Sequence, residues 1–278
     1  MSLHVVTVIQ ARIGSSRLPG KVMLSLSGKP LLIRMYERVA MAKKAGKIII
    51  ATSTNPNDDQ IEELCIDNNI SYYRGNENDL LDRHYKAALK YGADAVVKIP
   101  SDCPLIDPHV IDKVITTYLD NHDNYDFMSN LHPATFPDGN DVEVISFQTL
   151  KRTWQEATRD FEREHTTPYI WENPNKFSLG NVEWEAKLNY SSTHRWTIDY
   201  EEDEIFIRTV YEELYQKKPN FTLYDILNLL EDKPFIYEIN RKHAGRYWYE
   251  NHLKELENIK EFKKRYRVAK WTKSNLKN

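Results

Sequence analysis

The chain has 278 residues, 41% of them aliphatic or aromatic, which suffices for a sizeable core in one large α/β domain or two small ones. No run of about 18 apolar residues occurs, so a transmembrane helix is excluded, and no charged, apolar and small-residue succession marks a secretory signal. The net charge of −3 conceals a stretch at residues 232–278 with 13 Lys and Arg against 6 Asp and Glu; because the remainder is acidic and Glu, Tyr and Trp interrupt the basic stretch, nucleic acid is excluded as the main ligand.

Residues 4–10 (His-Val-Val-Thr-Val-Ile-Gln) form a β-branched apolar run that reads as a buried parallel strand. A loop with Gly14, Ser15, Ser16, Pro19 and Gly20 follows, and residues 30–44 then show helical periodicity through Leu31, Leu32, Met35, Val39 and Ala42. Lys47-Ile-Ile-Ile-Ala-Thr is a second buried strand, and Asn57 with Asp58-Asp59 caps a helix reaching about Asn69. Ser71-Tyr-Tyr is a short strand, residues 79–91 a helix, residues 95–99 a strand, and residues 108–120 a further helix. This alternation, with short connections to about residue 130, predicts an α/β fold with a mostly parallel sheet and helices on both faces.

Alternation is less regular beyond that point. Val142-Glu-Val-Ile reads as a strand, residues 147–173 as mostly helical, residues 176–184 as extended, and Arg195-Trp-Thr-Ile-Asp as a strand ending in a carboxylate. Helices are predicted at 203–217 and 222–231. With no repeat and no low-complexity linker, the expected layout is one domain over 1–231 with an inserted α/β lobe at about 137–190, then a basic, mainly helical extension over 232–278.

Ligands of such sheets bind beyond the carboxyl ends of the strands, which singles out residues 11–21 and 100–107. The first loop reads Gln10-Ala-Arg-Ile-Gly-Ser-Ser-Arg-Leu-Pro-Gly-Lys21. Gly14 and Gly20 let backbone N–H groups approach an anion, and Ser15 and Ser16 add hydroxyl donors. Arg12, Arg17 and Lys21 put three cations on this loop, where they repel one another unless an anionic ligand joins them; both Arg17 and Lys21 are expected to face solvent without it. The spacing of Gly14 and Gly20 is one residue too long for a Walker loop and Val22 replaces its metal-binding Ser/Thr, while the dinucleotide G-x-G-x-x-G is missing.

Asp102 ends one predicted strand and Asp199 another. Each carboxylate could be a simple cap, but two of them facing three cations also suit a Mg²⁺, which takes one or two protein carboxylates plus phosphate oxygens. His165 reads either as an acceptor ligand or base or as a structural helix-face histidine, and Arg195 either as a contact to an acidic sugar or as an ion-pair partner. Glu143 and Asp141 are candidates for the acceptor pocket, Arg74 and Arg83 for the nucleotide rim or its supporting ion pairs, and Trp154, Trp171 and Trp184 for core or dimer contacts.

The first loop is similar to the signature of the sugar-acid cytidylyltransferases, and the chain resembles most the branch of that family that serves spore coat polysaccharide. Five further stretches carry the resemblance in the same order: Arg74-Gly-Asn with Asp79-Leu-Leu-Asp-Arg; Ser101-Asp-Cys-Pro-Leu-Ile-Asp; Pro137-Asp-Gly-Asn-Asp-Val-Glu-Val; Arg163-Glu-His; and Arg195-Trp-Thr-Ile-Asp. Gln10 departs from the proline usual there, and the residues beyond 232 lie outside the likeness. The resemblance implies a nucleotide-diphospho-sugar transferase type of fold and transfer of CMP from CTP to a sugar acid, with release of pyrophosphate and Mg²⁺ as cofactor. It also implies triphosphate binding by Arg12, Arg17 and Lys21, metal binding by Asp102 and Asp199, and a homodimer.

Two rival readings differ in class. A glycosyltransferase using a nucleotide sugar would carry a D-x-D metal motif, which Asp102-Cys-Pro-Leu-Ile-Asp does not supply; an inactive nucleotide-binding subunit would have no reason to keep the basic loop with both aspartates. Cys65 and Cys103 stand in no metal-ligand spacing and suggest a reducing compartment, so the expected location is the cytoplasm.

Overall fold

The computed structural model describes residues 3–185, 188–245 and 255, so the helix expected over the extension lies outside the described residues for nearly all of 246–278. In chain order the elements begin with β1 (Val5–Gln10), the short hairpin β2 (Ser25–Leu26) and β3 (Lys29–Pro30), α1 (Leu31–Ala40), β4 (Lys47–Ser53), α2 (Asp59–Asp67) and β5 (Tyr72–Gly75). Next come α3 (Leu80–Lys90), β6 (Ala95–Pro100), α4 (Pro108–Asp120), β7 (Phe127–Ser129) and β8 (Glu143–Ser146). The rest are α5 (Phe147–Glu156), α6 (Asp160–His165), α7 (Pro168–Trp171), β9 (Leu179–Asn181), α8 (Glu201–Leu214), α9 (Leu223–Asp232) and α10 (Pro234–Glu238).

A seven-stranded sheet runs in the order β5-β4-β1-β6-β8-β7-β9. β5, β4, β1 and β6 are parallel, and β8 is inserted antiparallel between β6 and β7. Central strands buried on both faces read as continuous apolar runs, and β1 divides its side chains accordingly. Val5 and Ile9 join a core with α1, α2 and α4, whereas Val6 and Val8 join one with α3, α5, α6 and α7. A third core gathers α8, α9 and α10 around Trp196, Leu105 and Phe136. The carboxyl ends of the four parallel strands therefore open toward one edge, where residues 11–20 and 101–107 connect to the next elements.

Several expectations change in the second half. The stretch expected to be mostly helical over 147–173 is three short helices, α5 to α7, and the extended stretch at 176–184 is a strand in its middle three residues. Residues 137–190, expected as an inserted lobe, contribute β8 and β9 to the main sheet. Residues 195–199 are not a strand. The segment is a strap whose backbone bonds to loops: Trp196 N–H donates to Asp138 O at 2.7 Å and Ile198 N–H to Asp102 O at 2.9 Å, with one isolated bridge pairing Asp138 and Arg195. Its apolar alternation comes from Trp196 and Ile198 reaching the third core, which imitates the pattern of a strand. Gly139 permits this crossing, since a Cβ there would lie 2.7 Å from the Trp196 carbonyl carbon and its φ is +104°. No helix among the described residues is long and apolar enough to cross a membrane.

Candidate active site

The loop after β1 is tied to the strand beside it. Ala11 N–H donates to Ala51 O at 3.0 Å and Ile13 N–H to Asp58 Oδ1 at 2.7 Å, while Ile13 O accepts from Ser15 N at 2.8 Å and from Gly20 N at 2.9 Å. Gly20, at φ +73°, is the turn residue that swings the chain into Lys21; Gly14 needs no such freedom, because its φ is ordinary and a Cβ would meet nothing closer than 3.9 Å. Gly14 and Ser16 are exposed and Ser15 half-buried, so this part of the loop faces outward.

Lys21 does not face solvent as expected. It is buried, and its ammonium donates to Ile198 O at 2.7 Å and to Asp199 Oδ1 at 3.0 Å, with Asp102 Oδ2 at 3.5 Å. Arg17, 42% exposed, meets the same Asp199 Oδ1 at 2.8 Å. Lys21 and Arg17 are thus neutralised by carboxylates from the residue 102 loop and the strap, a pairing that sequence separation hides. Burial disfavours the Lys21 cation, but the charges of Asp102 and Asp199 outweigh it and hold its pKa above the ordinary lysine value. Conversely, burial pushes the Asp199 carboxyl up, and Lys21 and Arg17 together bring it below the ordinary carboxylate value.

Behind Asp199 lies a buried web. Arg195 Nη2 meets Asp199 Oδ2 at 3.1 Å, Nε meets Asp203 Oδ1 at 3.0 Å, and Nη1 meets Asp138 Oδ2 at 3.3 Å. Three carboxylates engage this guanidinium, so of the two readings of Arg195 its contacts fit the ion-pair partner rather than a free cation for an acceptor. Glu143 is buried and paired with Lys98, its register partner across β6 and β8. His165 ends α6 with its ring 4.9 Å from that of Phe161, on the α3 side of the sheet. Asp138 and Asp141 lie close enough to Asp102 for the charges to interact. Burial and mutual repulsion push the Asp138 carboxyl well up, and burial followed by the charge of Asp102 lifts that of Asp141 to about 7.

Arg74 and Arg83, both assigned to the nucleotide rim or its support, separate. Arg74 is ion-paired to Asp59 at 2.7 Å and also to Glu62, a supporting pair. Arg83 is 3% exposed, yet its Nε and Nη1 have no hydrogen-bond partner among the described residues. Burial, and then repulsion from Arg12, lowers its pKa to about 10. A buried guanidinium without an acceptor is costly in a folded protein, and among the described residues Arg83, near Arg12, feels the charges of Asp58, Glu77 and Asp79 without a hydrogen bond to Nε or Nη1. Trp154 and Trp171 belong to the α3-side core and Trp184 to the third core.

Among the described residues no group of three or more His, Cys, Asp and Glu is placed to hold a metal ion. The donor set nonetheless fits Mg²⁺ carried by a nucleotide, because Asp102 and Asp199 converge from two loops on one cation and phosphate oxygens would supply the remaining positions.

The model of the cytidylyltransferase family matches residues 6–270. The spore coat polysaccharide biosynthesis protein SpsF of Bacillus subtilis is 30% identical over 82% of this chain and 94% of that protein. A 3-deoxy-manno-octulosonate cytidylyltransferase of Geobacter sulfurreducens is 30% identical over 43% of this chain and 47% of that protein. The solved structure of a cytidylyltransferase from Leptospira borgpetersenii superposes with a TM-score of 0.80 at 32% identity, covering 84% of this chain and 97% of that one. The arrangement is that of a nucleotide-diphospho-sugar transferase fold.

Proposed function

As the chain belongs to the cytidylyltransferase family and is a CTP-dependent nucleotidyltransferase, we propose that it transfers CMP from CTP to a hydroxyl of a sugar acid for a cell-surface or spore-coat polysaccharide. The observation that carries this reading is the convergence of Asp102 and Asp199 on Lys21, with Arg17 beside them, at the carboxyl ends of parallel strands. The acceptor oxygen attacks the α-phosphorus, the bond to the bridging oxygen breaks, and pyrophosphate leaves with the extra negative charge. Such a transfer needs positioning and electrostatic stabilisation more than covalent participation by the protein. Lys21 and Arg17 turn from Asp199 toward the phosphates, Ser15, Ser16 and the backbone of Gly14 line the triphosphate path, and Arg12 with Arg83 forms the rim beyond it. Asp102 and Asp199 would then hold Mg²⁺, which supplies neutralisation of the α-phosphate and a lower pKa for the acceptor hydroxyl. His165 and Glu143 flank the acceptor on the other half of the sheet. The enzyme works as a cytoplasmic homodimer in this reading.

The test is a matrix of four nucleoside triphosphates against a panel of sugar acids, scored by pyrophosphate release. Release with CTP and at least one acid is expected. Release with another triphosphate in preference to CTP, or with neutral sugars in preference to acids, would refute the corresponding half of the proposal.

A further inference from the structure

Asn240, in the turn after α10, lies in a part of the chain that the sequence leaves without a role, yet it is 3% exposed and reaches the web behind Asp199. Its side-chain amide donates to Arg195 O at 2.8 Å and to Asp203 Oδ1 at 2.9 Å. Asp203 is fully buried. Its Oδ2 accepts from Asp199 N at 2.9 Å and Tyr200 N at 3.1 Å, and its two oxygens receive Arg195 Nε and Nη2 at 3.0 Å each. Asp203 therefore fixes both the backbone of Asp199 and the guanidinium that touches the Asp199 carboxylate. Asn240 fixes Asp203 in turn, and the backbone from which Arg195 projects.

The same segment grips the strap at two further points. Tyr237 Oη donates to Thr193 O at 3.2 Å, and the His243 ring stacks on Tyr200 at 4.2 Å while its Nε2 lies 3.0 Å from Glu202. Residues 237–243 thus clamp the strap on both sides of Asp199. An amide is the group this position requires: it donates to a carboxylate and a carbonyl that are both already buried, without adding charge to a web holding Arg195, Asp138, Asp199 and Asp203.

We propose that Asn240 is a positioning residue that sets the orientation of Asp199 toward the metal-bound nucleotide, acting through Asp203 and Arg195. This rests on the proposed role of Asp199. Partners behind a ligating group hold it in the geometry that binding needs, and removing one typically costs about 10–100-fold in metal affinity.

The experiment measures CTP binding with Mn²⁺ present, by calorimetry, in wild type, Asn240→Ala, the isosteric Asn240→Asp, Asp199→Asn and the Asn240→Ala/Asp199→Asn double variant, with a thermal melt of each. Both single Asn240 variants are expected to bind about tenfold more weakly or worse. In the Asp199→Asn background, Asn240→Ala should change affinity less than about twofold, because the two residues act as a unit. Asn240→Asp keeps the shape and so separates lost donation from lost packing if Asn240→Ala melts early. Wild-type affinity in Asn240→Asp, or full additivity in the double variant, overturns the proposal while leaving the reading of the site intact. A wild-type protein that binds no CTP overturns both.

Discussion

Lys21 is the cation that two carboxylates share before any nucleotide arrives, 3.0 Å from Asp199 and 3.5 Å from Asp102. Lys21→Met keeps most of the apolar stem and removes the charge, so the aspartates lose their nearest counter-ion and the leaving group loses a donor. Turnover should fall about 10²–10³-fold, the usual cost of one such donor, and single-turnover kinetics with saturating CTP is the measurement. A loss confined to KM would show instead that Lys21 contributes only to ground-state binding. Asp141 offers a second test through stability. Its folded-state pKa of about 7 lies above the ordinary carboxylate value, so between those two values the native state binds more protons than the unfolded one. Stability therefore falls as pH rises from about 4 to about 7 and is then level. Asp141→Asn should stabilise the metal-free protein at pH 8 by about 1–2 kcal/mol, as relief of a strained site does, and the gain should vanish at pH 4. Denaturant titrations of both proteins at the two pH values decide it; a gain of equal size at both would mean that Asp141 is not the repelled group. Of the candidate site residues, Arg12, Arg17, Lys21, Asp102 and Asp199 could be named from one basic loop and two carboxylates read as ending strands, although Asp199 ends the strap and not a strand. The pairing of Lys21 with Asp199 could not, since 178 positions separate them and nothing local encodes the strap's return.

The strap at 195–199 shows how an element can be misread for a physical reason. Trp196 and Ile198 alternate with polar neighbours as a half-buried strand would, but a two-residue period reports which side chains face a core and not what the backbone bonds to. Here the bonds go to the loops carrying Asp138 and Asp102, and the polar residues flanking Trp196 and Ile198, namely Arg195 and Asp199, point into the ion-pair web. β1, β4 and β6 were legible as short continuous apolar runs of bounded length, and α1, α3 and α4 because each combines one helical period with a turn or cap at its ends. β7, three residues long, carries too little pattern to be separated from loop, and β9 was legible only as part of a longer extended stretch. The strap also makes Arg195 a structural hub, and breaking a buried pair by removing one partner strands the other charges. Arg195→Ala should destabilise the protein by about 3–5 kcal/mol, read from urea or thermal unfolding. A variant as stable as wild type with a raised acceptor KM would return Arg195 to the acceptor pocket.

Across the whole molecule the two sets of candidate residues lie on different parts of the sheet. The parallel strands β5, β4, β1 and β6 end toward the nucleotide candidates: Arg12, Arg17 and Lys21 follow β1, Asp102 follows β6, and Arg83 stands in the first turns of α3 after β5. Beyond β6 the antiparallel strand β8 is inserted before β7 and β9, and β8 and the helices after it carry Glu143 and His165. The nucleotide candidates could be named from sequence because phosphate chemistry demands cations, glycine and hydroxyls close together along the chain. The acceptor candidates Glu143 and His165, named from the sequence as well, rest on no such local pattern, because they come from β8 and α6 and the side chains around them are identified only by the folded sheet. This division yields the last prediction. If the two substrates occupy separate halves, Arg83→Met should weaken CTP binding about tenfold or more, the usual result of removing a buried hydrogen-bonding group on which a ligand depends. His165→Ala should leave CTP affinity within about twofold of wild type, as for distant sites without shared partners. With the sugar acid identified by the pyrophosphate screen, His165→Ala should instead raise the acceptor KM about tenfold, the effect of one lost polar contact to a charged group. Thermal melts accompany both variants, since His165 lies against Phe161 at the end of a short helix. Calorimetry with CTP and initial-rate kinetics with the acid together separate the outcomes. A His165→Ala protein that melts normally and keeps its acceptor KM returns that residue to a structural role, and an Arg83→Met protein with undiminished CTP affinity removes the cationic rim from the nucleotide half.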